Sequence, residues 1–191
     1  MMTDPITIKT AATEKEIEAV RRLFREYEAF LGVDLGFQNF DAEFAGLPGK
    51  YARPNGDLLI GLTGNRTLGC VAVRRLDDNI CEMKRLYVRP EARGTGLGRR
   101  LAREIIDIAR ELGYSLMRLD TLDRLTQAMG LYDTLGFRRT APYYENPLQG
   151  VVYWELSLVP GNGPADPGTG GPVGTQHKKA LRVCAKPLNT D

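Results

Sequence analysis

Apolar positions along the chain recur with two different periods, and the switches between them divide it into elements. Ile17, Val20, Leu23, Phe24, Tyr27 and Leu31 recur at helical spacing until Gly32 closes the run. Ahead of them, Thr13-Glu14-Lys15-Glu16 makes a capping box: the Thr13 hydroxyl takes the Glu16 N–H while Glu16 reaches back. Residues 5–10 read as a short first strand. Positions 33–56 lack a clear period and scatter Phe37, Phe40, Phe44, Leu47 and Tyr51 among glycines and prolines, as either plain core or the wall of a substrate pocket. Residues 57–63 and 68–76 read as a β-hairpin about Gly64-Asn65, and a turn at Asp77-Asp78-Asn79 leads into a strand that Pro90 stops. Leu97, Leu101, Ile105, Ile108 and Leu112 form the stripe of a second long helix, ended by Gly113. A strand at 116–122, a shorter helix at 123–135 and closing strands at 137–140 and 151–159 follow.

This order describes a mixed α+β sheet. The crossover from the strand before Pro90, through its helix, to 116–122 makes a parallel pair. At 191 residues and 42% hydrophobic content the chain can bury one core and is short for two. From residue 160 the composition turns glycine- and proline-rich, then basic. This suggests a domain over 1–159 and a flexible extension over 160–191. Net charge is +2, and Lys178, Lys179, Arg182 and Lys186 against Asp166 and Asp191 place that excess in the extension. A neutral body gives no reason to expect nucleic acid or an anionic membrane as partner. Cys70, Cys81 and Cys184 are odd in number and lack ligand spacing, and there is one histidine, so neither metal nor disulfide framework is expected. Without a long apolar run or a leader-like start, the expectation is a cytoplasmic protein.

The densest chemistry lies at 79–99. Three glycines on alternate positions, Arg93-Gly94-Thr95-Gly96-Leu97-Gly98, bare their N–H groups at the start of a helix, an arrangement suited to a pyrophosphate. A P-loop would need Lys-Ser/Thr after the last glycine, where Arg99-Arg100 stand. A dinucleotide fingerprint finds an acidic residue in Asp120 but wants glycine at 99, and its turn is tighter than the stretch 89–92 allows. The third reading is R-x-x-G-x-G from Arg93 to Gly98, joined by Leu131-Tyr132-Asp133-Thr134-Leu135-Gly136-Phe137.

With both motifs present, the chain resembles the GCN5-related N-acetyltransferase (GNAT) superfamily. Residues 82–88, 118–121 and 143–147 further resemble a bacterial small-molecule subgroup, and the likeness spans 5–159. The resemblance implies an α+β (mixed α/β) fold of the GNAT acyl-CoA N-acyltransferase type. Its central mixed twisted sheet would have about six to seven strands and about four flanking helices, with two parallel strands splayed apart. It implies acetyl-CoA as co-substrate, with Arg93, Gly94, Thr95, Gly96, Leu97, Gly98 and Arg99 on the pyrophosphate. The backbone of Leu86, Tyr87 and Val88 would lie along the pantetheine arm. Where relatives carry an asparagine contacting that arm, this chain has Leu125, so Gln127 stands as its replacement.

The same likeness makes Glu82 the general base, directly or through water, and Tyr132 the acid that protonates the leaving thiolate. Strand alternation places Glu82 with Ile80, Leu86 and Val88 and turns Cys81 away, leaving no side chain marked as an acyl carrier. Tyr143, Tyr144 and Asn146 would line the acceptor side. The expected activity is acetyl transfer to a primary amine of a small molecule by direct attack in a ternary complex. A protein N-terminal or lysine acetyltransferase and a non-catalytic acyl-CoA sensor are the rival readings. A homodimer is among the assemblies the resemblance allows.

Overall fold

The computed structural model describes residues 4–33, 36 and 40–159. The extension expected at 160–191, and Phe37, lie outside the described residues. Elements run β1 (Thr7–Thr10), α1 (Glu14–Leu31), α2 (Phe40–Ala45), β2 (Asp57–Thr63), β3 (Arg66–Arg75), β4 (Ile80–Val88), α3 (Leu97–Glu111), β5 (Leu116–Leu122), α4 (Thr126–Thr134), β6 (Arg138–Thr140) and β7 (Val151–Ser157). Single 3-10 turns sit at Gly49–Tyr51 and Pro90–Ala92. The strands form one sheet in the order β1-β2-β3-β4-β5-β7-β6, and every neighbouring pair is antiparallel except β4 with β5. No helix among the described residues is long and apolar enough to cross a membrane.

The local signals work as expected at α1. Glu16 N–H donates to the Thr13 hydroxyl at 3.3 Å while the Glu16 carboxylate accepts the Ala12 and Thr13 amides, both at 2.9 Å. Gly32 ends the helix at φ 61°, the left-handed position that glycine takes without penalty. Its apolar stripe covers one face of the sheet: Val20, Leu23 and Phe24 pack with Phe40, Tyr51, Leu58, Ile60 and Tyr87. The aromatic-rich segment is therefore chiefly core, and part of it is helix. On the other face Leu97, Leu101 and Ile105 of α3 join Met83, Leu119, Tyr132 and Trp154. Full burial of each such side chain contributes about 1.5–3 kcal/mol.

Several boundaries shift by one to three residues from the sequence pattern, two of them for a visible reason. β3 begins at Arg66, two residues earlier, because the turn at 64–65 closes tightly and Thr63 pairs with Arg66. α4 begins at Thr126 rather than 123: the Asp123 N–H still donates to the Gly150 carbonyl (2.8 Å), and the Leu125 N–H to the Leu122 carbonyl (2.9 Å), so a turn comes first.

A third difference changes which residues share a face. β4 pairs Tyr87 with Cys70 but Lys84 with Ala72, so one extra residue is accommodated between them. Arg85 sits there at φ 59°, alone among the described non-glycine residues in having positive φ. The bulge reverses the alternation. Glu82 and Lys84 stay on the α1 face, whereas Leu86 and Val88 pack with Met83 against the α3 side. The expectation that Glu82 shares a face with Leu86 and Val88 is thus corrected. The unfavourable conformation is held by a buried two-pronged ion pair, Arg85 Nε and Nη2 to Glu43 at 2.9 and 3.2 Å, with the guanidinium 5.0 Å from the Phe40 ring centre.

Close backbone packing beside this bulge yields a stability prediction. A Cβ at Gly69 would lie 2.6 Å from the Tyr87 carbonyl oxygen, a backbone atom that cannot swing aside. Gly69→Ala should lower unfolding free energy by about 1–3 kcal/mol in urea denaturation.

Candidate active site

β4 and β5 pair over three positions only, Ile80 with Leu116, Cys81 with Met117 and Glu82 with Arg118. Beyond that point the strands separate, and a cavity of about 420 Å³ occupies the gap. Met83 to Val88 line one side, Asp120 to Leu122 the other, and Gln127, Ala128, Leu131 and Tyr132 close it from α4. Arg89 N–H turns toward β3 and donates to the Leu68 carbonyl at 2.8 Å. Alternation therefore turns the polar groups of Val88 into the gap, where its carbonyl accepts Arg93 Nε at 3.1 Å. Leu86, Tyr87, Val88, Arg93, Gly98 and Gln127 all border the cavity.

The glycine loop lies at the start of α3. Gly94 and Gly96 take φ of 80° and 83°, and a Cβ at either would meet nothing within 4 Å. The glycines thus serve the chain's conformation and leave open space in front of it. Helix geometry leaves the first amides of α3 without intrahelical acceptors, and of this loop Arg93 and Gly98 border the cavity. The Thr95 hydroxyl turns inward to the Ala92 carbonyl at 2.7 Å, which leaves only its backbone for a ligand. Leu97 is buried in the core. Arg93 lays its guanidinium 4.6 Å from the centre of the Phe30 ring at the end of α1.

Tyr132 lies in the cavity wall, buried, with its ring against Phe137 and Trp154 at 5.7 and 6.3 Å between centres. Its hydroxyl has no hydrogen-bond partner among the described residues. Burial, with Tyr27 and Asp120 nearby, pushes its phenol well above the usual range, so it is a protonated donor at neutral pH. Tyr27 borders the cavity from α1, and burial pushes its own phenol up to about 12.

On the α1 face the carboxylates divide. Glu82 is 1% exposed and does not border the cavity. One oxygen is held by Arg74 Nε and Nη2 at 2.8 and 2.7 Å, and the other accepts the Tyr143 hydroxyl at 2.9 Å. Asp120 does border the cavity and takes Lys84 Nζ at 2.8 Å. Burial works to raise the Asp120 carboxyl, but the Lys84 ammonium outweighs it and holds the group below the usual range. Tyr143 and Tyr144 cluster with Tyr153, ring centres 5.2–5.6 Å apart, and Asn146 Nδ2 donates to the Tyr144 hydroxyl at 2.8 Å. These three expected acceptor-side residues surround the carboxylates from outside the cavity and do not line it.

Lys84, Arg85, Arg124 and Tyr27 also reach the cavity, and the sequence pattern had not singled them out. Asp120 entered as the acidic residue of a dinucleotide fingerprint and within the 118–121 likeness, without a role in the site. A signal was present: Glu82 and Lys84, and Arg118 and Asp120, alternate on two strands that the crossover makes neighbours.

Splayed parallel strands beside a glycine-rich helix start define an acyl-CoA N-acyltransferase fold. The chain belongs to the acetyltransferase (GNAT) family, whose model matches residues 17–137. It is 46% identical over 155 residues to an uncharacterised N-acetyltransferase of Schizosaccharomyces pombe, covering 80% of this chain and 95% of that protein. Among solved structures, an acetyltransferase from Streptococcus agalactiae superposes with a TM-score of 0.68 at 20% identity, covering 80% of this chain and 98% of that one. A Salmonella typhimurium protein solved with its cofactor acetyl-CoA gives 0.59 at 22% identity, covering 83% and 97%.

The paired charges at the cavity floor set a pH dependence. Asp120, held low in the folded state, adds stability that is present above the ordinary carboxylate range and is lost as pH falls through its folded value. Lys84→Met leaves that carboxylate buried without its cation. It should cost about 3–5 kcal/mol near neutral pH, and the gap to wild type should narrow below about pH 4, as read by denaturation across pH.

Proposed function

We propose that the protein transfers an acetyl group from acetyl-CoA to the primary amine of a small molecule, by direct attack while both are bound. The observation that carries this reading is the cavity at the parting of β4 and β5, bordered by Arg93 and Gly98 of the glycine loop, with the buried Tyr132 in its wall. Acetyl-CoA supplies the acyl group already activated as a thioester. Arg93 and the amides from Gly94 to Arg99 hold its phosphates, and Leu86, Tyr87 and Val88 align its arm along the strand edge, with Gln127 opposite. Tyr132 gives its proton to the departing thiolate.

Glu82 takes the proton released by the acceptor nitrogen through an intervening water, since its own oxygens are occupied by Arg74 and Tyr143 and it stands back from the cavity. Cys81 supports direct attack over an acyl-enzyme. It is buried on the α3 face, and burial pushes its thiol up to about 12, leaving almost no thiolate at neutral pH. A cavity of about 420 Å³ floored by buried charges favours a small acceptor over a folded protein surface.

Release of CoA thiol from acetyl-CoA with a panel of amines tests the reading. Tyr132→Phe should reduce kcat by about 10²-fold with little change in KM for acetyl-CoA. Glu82→Gln should reduce kcat comparably. CoA binding without turnover on any amine would mark a sensor instead, and preference for a peptide N-terminus or lysine would mark a protein acetyltransferase.

A further inference from the structure

The cavity passes through the sheet, because β4 and β5 separate and leave both faces open to it. Its two ends differ. The glycine loop and α4 border it on the α3 face, which leaves the α1 face for the second substrate. There the wall is apolar: Tyr27, Leu31, Leu122, Leu148 and Val151 all border the cavity and belong to, or pack on, the α1-side core.

Charge around the cavity is strongly one-sided. Lys84, Arg85, Arg93 and Arg124 stand against Asp120 as the single carboxylate among the lining residues. Three of the cations are accounted for. Arg85 is bound by Glu43, Lys84 by Asp120, and Arg93 stands beside the glycine loop where phosphates are expected. Arg124 is different. Among the described residues it has no ion pair, and its one hydrogen bond is from an Nη to the Leu31 carbonyl. A guanidinium at the rim of an apolar pocket is built for a carboxylate. A polycation would meet an excess of like charge.

Resting on the acetyltransferase reading above, we infer that the acceptor is an α-amino acid with an apolar side chain. Its carboxylate meets Arg124, its side chain lies against Leu31, Leu122, Leu148 and Val151, and its amine is directed toward the Lys84–Asp120 floor. Arg124 is therefore a specificity residue that binds the acceptor and takes no part in the chemistry.

Thiol release from acetyl-CoA with L-phenylalanine, phenethylamine, spermidine and a lysine peptide tests the inference. L-phenylalanine should exceed phenethylamine, which differs in lacking the carboxylate, by about tenfold or more in kcat/KM. Arg124→Leu should raise KM for L-phenylalanine by a similar factor at unchanged kcat and leave phenethylamine unaffected, with Arg124→Lys restoring part of the loss. Preference for spermidine or the peptide, or an equal effect of Arg124→Leu on both phenyl amines, would overturn it. Should no amine release thiol while acetyl-CoA still binds, the catalytic reading fails on its own. Calorimetric titration of N-acetyl-L-phenylalanine into the CoA-loaded protein then decides the ligand class: binding lost in Arg124→Leu supports it, and no binding to wild type refutes it.

Discussion

The parting of β4 from β5 after three residue pairs is the constraint on which the rest depends. Two parallel strands in the middle of a sheet would ordinarily pair along their length, since unpaired backbone groups away from water are costly. Here they separate at the level of Met83, and the space between them becomes a cavity edged by strand polar groups. A slot of this kind binds an extended amide-bearing arm by the same chemistry that would otherwise bind a strand.

Two ion pairs stand at the separation. Arg85, in its left-handed conformation, is fixed by Glu43 and lets β4 turn its later residues toward α3. Lys84 reaches across from β4 to Asp120 on β5, spanning the gap where no backbone bonds do. Both pairs are largely buried, so each acts in a medium of lower dielectric than water and tolerates the loss of a partner poorly. The same burial sorts the carboxylates: Glu82 is enclosed by Arg74 and Tyr143, while Asp120 keeps a surface in the cavity.

Much of the fold was legible along the chain because its signals are local. The capping box at Thr13, the αL glycine at 32, the stripe of α3 and the alternate glycines before it each specify structure within a few residues. The residues of R-x-x-G-x-G and of the stretch around Tyr132 lie where their spacing implied, on a helix start and on the helix facing it. The acceptor side was legible only in part. Tyr143 and Tyr144 do gather near Glu82, but as a second layer behind the charges.

The sequence by itself determined the order of the strands and of the other helices, though not α2, and the glycine-rich helix start, since periodicity and backbone preference act over one or two turns of chain. Tertiary structure alone decided which side chains face the cavity. Strand alternation fails at Arg85 because Glu43, 42 residues earlier, holds the extra residue in place. Arg124 and Leu31, 93 residues apart, meet only once α1 and the start of α4 close on the same gap. Distant charges and packed faces select such geometry, and no local spacing encodes them.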